Sequence, residues 1–303
     1  MTATLHKNLP ASVRQRLLNY AFRTEQDFQV ILARYGFERL LYRLGQSPFA
    51  EQFTLKGSLM FLVWTGEQYR PTRDMDLMSR KEIPEEDLRG IFRSVCMMNV
   101  NNDGLVLLEN TVDVELIRED NRGMRVTLTG RLEQARIPLQ IDIGFADAVT
   151  PKAVLQNFPV LLDFAVPRIS MYPPETTIAE KLHTIIVRGI FNSRMKDYYD
   201  IWILCREFAF DGAILSKAIA ATFRQRNTNL SERVPTGLSD EFSTDAAKQT
   251  QWVAFIRRTP LKICEENIEK VVTSIRDFLM PPYWATASGI SFTRKWPKDG
   301  PWQ

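Results

Sequence analysis

The stretch from Phe53 to Leu77 constrains this chain more than any other. It opens with Phe53-Thr-Leu-Lys-Gly-Ser58, passes through the apolar Leu59 to Trp64, and closes on Asp74-Met75-Asp76. In a β-strand, residues i and i+2 share a face, so a strand here projects Asp74 and Asp76 together while Met75 packs behind them. Two carboxylates held side by side repel each other unless a cation lies between them. A hard, oxygen-seeking ion such as Mg²⁺ is the expected guest. Gly57-Ser58 offers close backbone approach and a hydroxyl to a phosphate. Together these residues read as a two-metal site for moving a nucleotide out of a triphosphate. Taken singly, Asp-x-Asp is a common feature of solvated strand faces, and Gly-Ser is a turn. The order carries the reading: glycine and serine first, the acid pair after a helix-length gap.

Length then sets the scale. At 303 residues the chain is long enough for two cores, and a division into 1–165 and 166–303 is expected. Hydrophobic residues at 45% and charged residues at 25% exclude a disordered chain. A net charge of +3 neither demands nor excludes nucleic acid, although 39 Lys and Arg leave room for a local basic face. Cys96, Cys205 and Cys264 are odd in number and widely spaced, which suits reduced thiols better than a disulfide framework or a zinc site. His6 and His183 are the only histidines, which argues against histidine-rich metal chemistry. The longest apolar run, Leu59 to Trp64, is far too short to span a bilayer, and the first residues hold no apolar signal core. A soluble, cytoplasmic protein with no membrane partner is expected.

In chain order, Asn8-Leu-Pro10 starts a helix carrying Val13, Leu17 and Ala21 at helical spacing. A second helix, from Asp27 to Tyr35, is expected to stop at Gly36, and a third to run from Phe37 to Leu44. Arg39 and Arg43 fall on one face of the third and read as a solvated side. Phe53 to Leu55 reads as a strand. The helix from Leu59 to Thr65 is expected to aim its N-terminus back at an anion in the Gly-Ser loop. Thr72 to Met78 is the strand with the acid pair, and Ile83-Pro84-Glu-Glu-Asp87 opens a helix with Leu88, Ile91, Phe92 and Val95 inward. Val112 to Arg118, Met124 to Gly130 and Ile137 to Phe145 form a meander. In its third strand Leu139, Ile141, Ile143 and Phe145 alternate with Gln140, Asp142 and Gly144. Asp142 is therefore read as a third metal-linked carboxylate, with Asp147 the weaker candidate. Residues 146–170 read as a crossing segment. Helices follow from Glu175 to Arg188 and from Asp197 to Leu204, the latter with Lys196 and Asp200 spaced i,i+4 for a pair. Helical pattern continues to about residue 280, broken at Gln225 to Asp245. The stretch beyond Pro281, with Trp284, Trp296 and Trp302, has no period and is open to either packing or disorder.

Several motifs in one order then resemble a family. Glu38-Arg-Leu-Leu-Tyr-Arg-Leu-Gly-Gln-Ser47, Phe53-Thr-Leu-Lys-Gly-Ser58 and Arg70-Pro-Thr-Arg-Asp-Met-Asp-Leu77 are similar to the AbiEii/AbiGii-type toxin nucleotidyltransferases. So are Gln140-Ile-Asp-Ile-Gly-Phe145, Tyr172-Pro-Pro-Glu-Thr-Thr-Ile-Ala-Glu-Lys-Leu-His183 and Ser193-Arg-Met-Lys-Asp-Tyr-Tyr-Asp-Ile-Trp202. The resemblance covers about residues 30 to 210. It implies an α+β fold: a polymerase-β-like nucleotidyltransferase core, a mixed sheet with flanking helices, plus a C-terminal helical domain. It implies a toxin paired with an antitoxin; relatives transfer nucleotides, in some cases to the tRNA acceptor end. Transfer of a nucleoside monophosphate from an NTP to RNA, with the tRNA 3′ end as acceptor and translation blocked as a result, is therefore expected. Gly57 and Ser58 match the phosphate loop, where many relatives carry Gly-Gly. Asp74 and Asp76 match the metal-binding pair, Lys181 the active-site lysine, and Lys196, Asp197 and Asp200 a Lys-Asp-x-x-Asp motif. Asp142 matches the third carboxylate of the wider superfamily.

The residues support these assignments on their own chemistry. Lys181 with Arg70 or Arg73 can neutralise triphosphate charge that the metals do not, with Lys56, Thr72 and Lys196 as further nucleotide contacts. Asp197 or Asp200 can orient Lys181 or help deprotonate an attacking hydroxyl; a buried Lys–Asp pair that joins two helices is the bland alternative. Two other functions remain open at this level: transfer to a protein or small molecule, and nucleotide binding without turnover.

Overall fold

The computed structural model describes residues 8–117, 123–145 and 147–303. His6, the Arg118 end of the predicted strand and most of the turn at 119–123 lie outside the described residues. Two compact units emerge. The first comprises residues 1–146 and 154–171, the second 147–153 and 172–303.

The first unit begins with α1 (Leu9–Thr24), whose N-cap Asn8 accepts a hydrogen bond from the Ala11 N–H. It continues with α2 (Phe28–Gln46), capped by Asp27. The predicted break at Gly36 does not occur, and one helix replaces two. Gly36 serves contact instead of termination: a Cβ there would stand 2.7 Å from Leu139 Cδ2, so its absence lets α2 lie close on the sheet. The expectation of a solvated Arg39 and Arg43 also fails, at 1% and 5% exposure. α2 is covered on all sides, because the 158–164 segment packs over the face that the sheet leaves open. The Leu161 N–H donates to the Glu38 carboxylate at 3.1 Å, and Arg43 forks onto Asp103 at 2.8 and 3.2 Å.

Strands β1 (Phe53–Lys56) and β2 (Asp74–Ser79) flank the six-residue α3 (Met60–Thr65). α4 (Glu85–Cys96) buries Leu88, Ile91, Phe92 and Val95 as its spacing predicts. The meander follows as β3 (Leu105–Leu116), β4 (Gly123–Leu132) and β5 (Ala135–Phe145); β3 starts earlier than expected because an irregularity between Leu108 and Asp113 masks its alternation. The supposed crossing segment contributes two further strands, β6 (Val154–Asn157) and β7 (Arg168–Met171). Four residues each are too few to show a period, and only their partners make them strands. The resulting seven-stranded sheet has the order β3-β4-β5-β2-β1-β7-β6 and is mixed: β2 runs parallel to β5 and β1 to β7, while the other neighbours are antiparallel. Its inward face carries Met75, Leu77, Leu139, Ile141 and Ile143, all at or below 1% exposure. This mixed sheet with flanking helices is the one expected.

The second unit is helical: α5 (Pro174–Arg188), α6 (Met195–Glu207), α7 (Gly212–Gln225), α8 (Asp240–Thr244), α9 (Ala246–Arg258) and α10 (Ile268–Ala287). A two-stranded ribbon pairs β8 (Phe210–Asp211) with β9 (Lys295–Trp296). α10 runs through Pro281 and Pro282, although proline removes a helical donor. Pro282 lacks the N–H that would reach the Phe278 carbonyl, and the Trp302 indole N–H donates to that carbonyl at 2.9 Å. Trp302 thus repairs the helix, while Trp296, buried, donates to the Cys205 carbonyl of α6 at 2.6 Å. Among the described residues no helix is long and apolar enough to cross a membrane.

Candidate active site

In the first unit the acid pair stands at the start of β2. Asp74 and Asp76 are half-buried, and Met75 between them is fully buried, the alternation a strand imposes. The Thr72 hydroxyl donates to Asp74 Oδ1 at 2.6 Å and fixes that carboxylate. Gly57 lies against Asp76. Its φ of +77° and its lack of a side chain are both required, because a Cβ would fall 1.9 Å from Asp76 Oδ2. The glycine of the loop and the second acid of the pair are therefore one construction. Ser58, at 6% exposure, is mostly buried beneath the turn. At six residues α3 is too short to offer an anion a developed helix dipole. Arg70 is half-buried in the loop before β2, and Arg73 is exposed.

Strand register orders the charges. Lys56 on β1 pairs with Asp76 on β2, Asp76 with Asp142 on β5, Asp142 with Arg125 on β4, and Arg125 with Glu115 on β3. Cross-strand partners point to the same side, so these five side chains form one row on the face opposite the apolar core. Gln140 stands beside Asp74 one step along the strands. Asp142 thus stands on the neighbouring strand beside Asp76. Its carboxylate is engaged, however. Arg125 Nε donates to Oδ1 at 2.8 Å and Nη2 to Oδ2 at 2.9 Å. Those hydrogen bonds raise the Arg125 pKa.

Carboxylate oxygens suit Mg²⁺, which is commonly held by one or two carboxylates together with substrate phosphates. Asp74 and Asp76 fit that requirement: adjacent on one face, one fixed by Thr72, the other against a backbone with no side chain. A closed three-carboxylate cage does not form, since among the described residues no three His, Cys, Asp or Glu converge to hold a cation.

In the second unit α5 and α6 bring a second set together. Lys181 Nζ lies 2.7 Å from Asp197 Oδ1 and 2.9 Å from Asp200 Oδ2, and Arg194 Nε lies 2.8 Å from Asp197 Oδ2. Asp197 and Asp200 are 2% and 0% exposed. Burial alone would raise the Asp197 pKa, but the adjacent Lys181 and Arg194 overrule it and hold the carboxyl well below the usual carboxylate range. The i,i+4 pair predicted between Lys196 and Asp200 is not formed. Asp200 faces Lys181, and Lys196, half-buried, makes no ion pair among the described residues. Asp147 belongs to the second unit and accepts from Arg226 Nη2 at 3.1 Å; Arg226 also donates to His183 Nδ1 at 3.3 Å.

Sequence reasoning missed Arg125, Arg194 and Arg226. Arg194 was discoverable, three residues ahead of Asp197 at a helix start. Arg125 and Arg226 become partners only through register and helix packing, which no local spacing encodes.

A family model described as "Nucleotidyl transferase AbiEii toxin, Type IV TA system" matches residues 39–274. No curated protein matches the chain. Among solved structures, a candidate nucleotidyltransferase from H. pylori is 15% identical with a TM-score of 0.44, over 83% of this chain and 92% of that one. JHP933 from Helicobacter pylori gives the same identity and TM-score over 83% and 89%. An antigenic nucleotidyltransferase-like protein from Paracoccidioides brasiliensis is 11% identical with a TM-score of 0.32, over 88% and 93%.

Proposed function

The chain belongs to the AbiEii family of nucleotidyl transferase toxins, and from that premise we propose that it transfers a nucleoside monophosphate from an NTP to an RNA hydroxyl, with the tRNA 3′ end as acceptor. The acceptor oxygen forms a bond to the α-phosphorus. The bond from that phosphorus to the bridging oxygen of the β-phosphate breaks, pyrophosphate leaves, and the hydroxyl proton passes to a carboxylate or to water. Asp74 and Asp76 would hold Mg²⁺, as a two-metal site with the phosphates; bound there, the cations would neutralise charge on the phosphates and lower the pKa of the attacking hydroxyl. Gly57 lets the phosphate-binding loop and the Asp76 carboxylate share one small space. Lys56, Ser58, Arg70 and Thr72 surround that loop and strand as nucleotide contacts. Asp197 and Asp200 hold the Lys181 ammonium charged and oriented, and Lys181 offsets phosphate charge during transfer. A modified tRNA end would block translation, and a cognate antitoxin would restrain the enzyme.

The observation that carries this reading is Gly57 packed against Asp76, because nothing in a merely structural Asp-x-Asp strand requires a side chain to be absent there. The test is incubation of the purified protein with each α-labelled NTP, Mg²⁺ and total RNA, followed by a denaturing gel. Label in one RNA size class, lost in folded Asp74→Asn and Asp76→Asn proteins and on chelation, is the expected outcome. Label on protein alone would move the acceptor to a side chain, and no label with any nucleotide would refute transfer.

A further inference from the structure

The charged row across the sheet contains one cation that the reaction described above does not use. Arg125 engages Asp142 side-on through Nε and Nη2, which leaves Nη1 turned away from the carboxylate. Among the described residues, Nη1 has no hydrogen-bond partner. Its side chain is 33% exposed, against 18% for Asp142, so the guanidinium lies above the carboxylate that anchors it. Register puts this fork one strand beyond Asp142 and two beyond Asp76, on the face where Asp74 and Asp76 project. A carboxylate with both oxygens occupied by a guanidinium is a poor metal ligand, because each oxygen would have to give up a charge-assisted hydrogen bond first. A guanidinium held in a fixed plane with donors to spare is a good phosphate ligand.

Resting on the reading of Asp74 and Asp76 as the metal carboxylates, we propose that Asp142 is no metal ligand but a positioning residue. It holds Arg125 so that Nη1 contacts a phosphate oxygen of the bound substrate. Charge balance across the row agrees with this division. Asp142 directly beside Asp76 would be a like-charge cross-strand pair, which is unfavourable by itself. Arg125 neutralises Asp142 and so removes that repulsion. The phosphate belongs either to the nucleotide or to the RNA acceptor, and both present the same oxygens to a guanidinium.

The deciding variant is Arg125→Gln with Asp142→Asn, which removes both charges together and leaves no unpaired ion. Three measurements on the full chain are needed: Mn²⁺ binding by loss of the free-ion electron paramagnetic resonance signal, inorganic tripolyphosphate binding by calorimetry with Mn²⁺ present, and binding of a short RNA by fluorescence anisotropy. The double variant is expected to bind Mn²⁺ as the wild type does and to lose about tenfold or more in affinity for tripolyphosphate or for RNA, the scale of one charge-assisted contact. Loss of tripolyphosphate binding assigns the contact to the nucleotide, and loss of RNA binding assigns it to the acceptor. Mn²⁺ binding as weak as in Asp76→Asn would restore Asp142 as a ligand and overturn the inference. So would wild-type affinity for both phosphate probes. Should Asp74→Asn and Asp76→Asn both keep full Mn²⁺ affinity, the failure lies in the underlying metal assignment. If the double variant melts early, Arg125→Lys decides: it keeps the charge but cannot fork onto Asp142 and present a third donor, so tripolyphosphate and RNA affinities both at wild-type level there would also overturn the inference.

Discussion

Replacing Lys181 with alanine removes the ammonium from between two buried carboxylates, and the structure makes this a stability experiment as well as an activity experiment. Its position off the apolar stripe of α5 suggests from sequence that its loss, whatever its role in transfer, leaves the fold nearly untouched. The side chain is instead 14% exposed and is bound to Asp197 and Asp200, which are 2% and 0% exposed. Taking one partner from a buried pair costs about 3–5 kcal/mol, because the remaining charge has lost its compensation without regaining water. Arg194 stays on Asp197 and compensates part of that half, so one such cost, not two, is expected. The pH dependence has a definite sign. Asp197 has its folded pKa lowered, so its contribution is present above the unfolded value and is lost as pH falls through the folded one. Wild type and Lys181→Ala should therefore differ most at neutral pH and converge only as pH falls well below about 4. Urea unfolding across that range measures the difference, and the labelled-RNA gel measures transfer in conditions where the variant is folded. Lys181→Met with Asp197→Asn and Asp200→Asn removes every buried charge of the pair at once. It should recover much of the lost stability but none of the transfer. A Lys181→Ala protein within about half a kcal/mol of wild type at neutral pH would refute the buried-pair reasoning. Full transfer by the uncharged triple variant would refute the catalytic role.

Three further outcomes follow from particular contacts. Gly57→Ala should abolish transfer, since its Cβ cannot coexist with Asp76 Oδ2 where they now stand and φ is +77°; calorimetric melting should show the protein still folded, and an active variant would remove the glycine from the site. Burial, partly offset by Arg34, pushes Glu38 up to about 7 from 4.5, so the native state holds a proton that the unfolded state releases between those values. Stability should fall by about 3 kcal/mol as pH rises through that window, and Glu38→Gln should flatten the slope in urea unfolding. Trp302→Phe leaves the Phe278 carbonyl without the indole N–H that replaces the missing donor of Pro282. The expected cost is about 1–3 kcal/mol by urea unfolding, and an unchanged midpoint would show that the carbonyl finds another donor.

Much of the molecule is written locally. Asn8, Asp27 and the Glu85-Glu-Asp87 turn mark helix starts because a capping oxygen or an early acid acts within one turn of its own position. Alternation of period two is sufficient to put Asp74 and Asp76 on one face and Asp142 on the polar face of β5. The family motifs are legible for the same reason, since each lies within a few residues of sequence.

Tertiary structure alone decided what the charges are for. Gly36 reads as a stop until Leu139 is found against it, and the Pro281-Pro282 pair reads as a helix end until Trp302 supplies the missing donor. Arg39 and Arg43 read as solvated because helical spacing reports which residues share a face, not whether a second layer covers that face. The residues at 158–164 cover it. Lys196 and Asp200 have the spacing of a pair, yet a buried carboxylate takes the cation that reaches it from another helix, and that cation is Lys181. Arg125 was invisible as a partner of Asp142 because they lie 17 positions apart and meet only through the register of β4 on β5. Local physics sets which face a residue occupies; only the packed chain sets which charge stands opposite it.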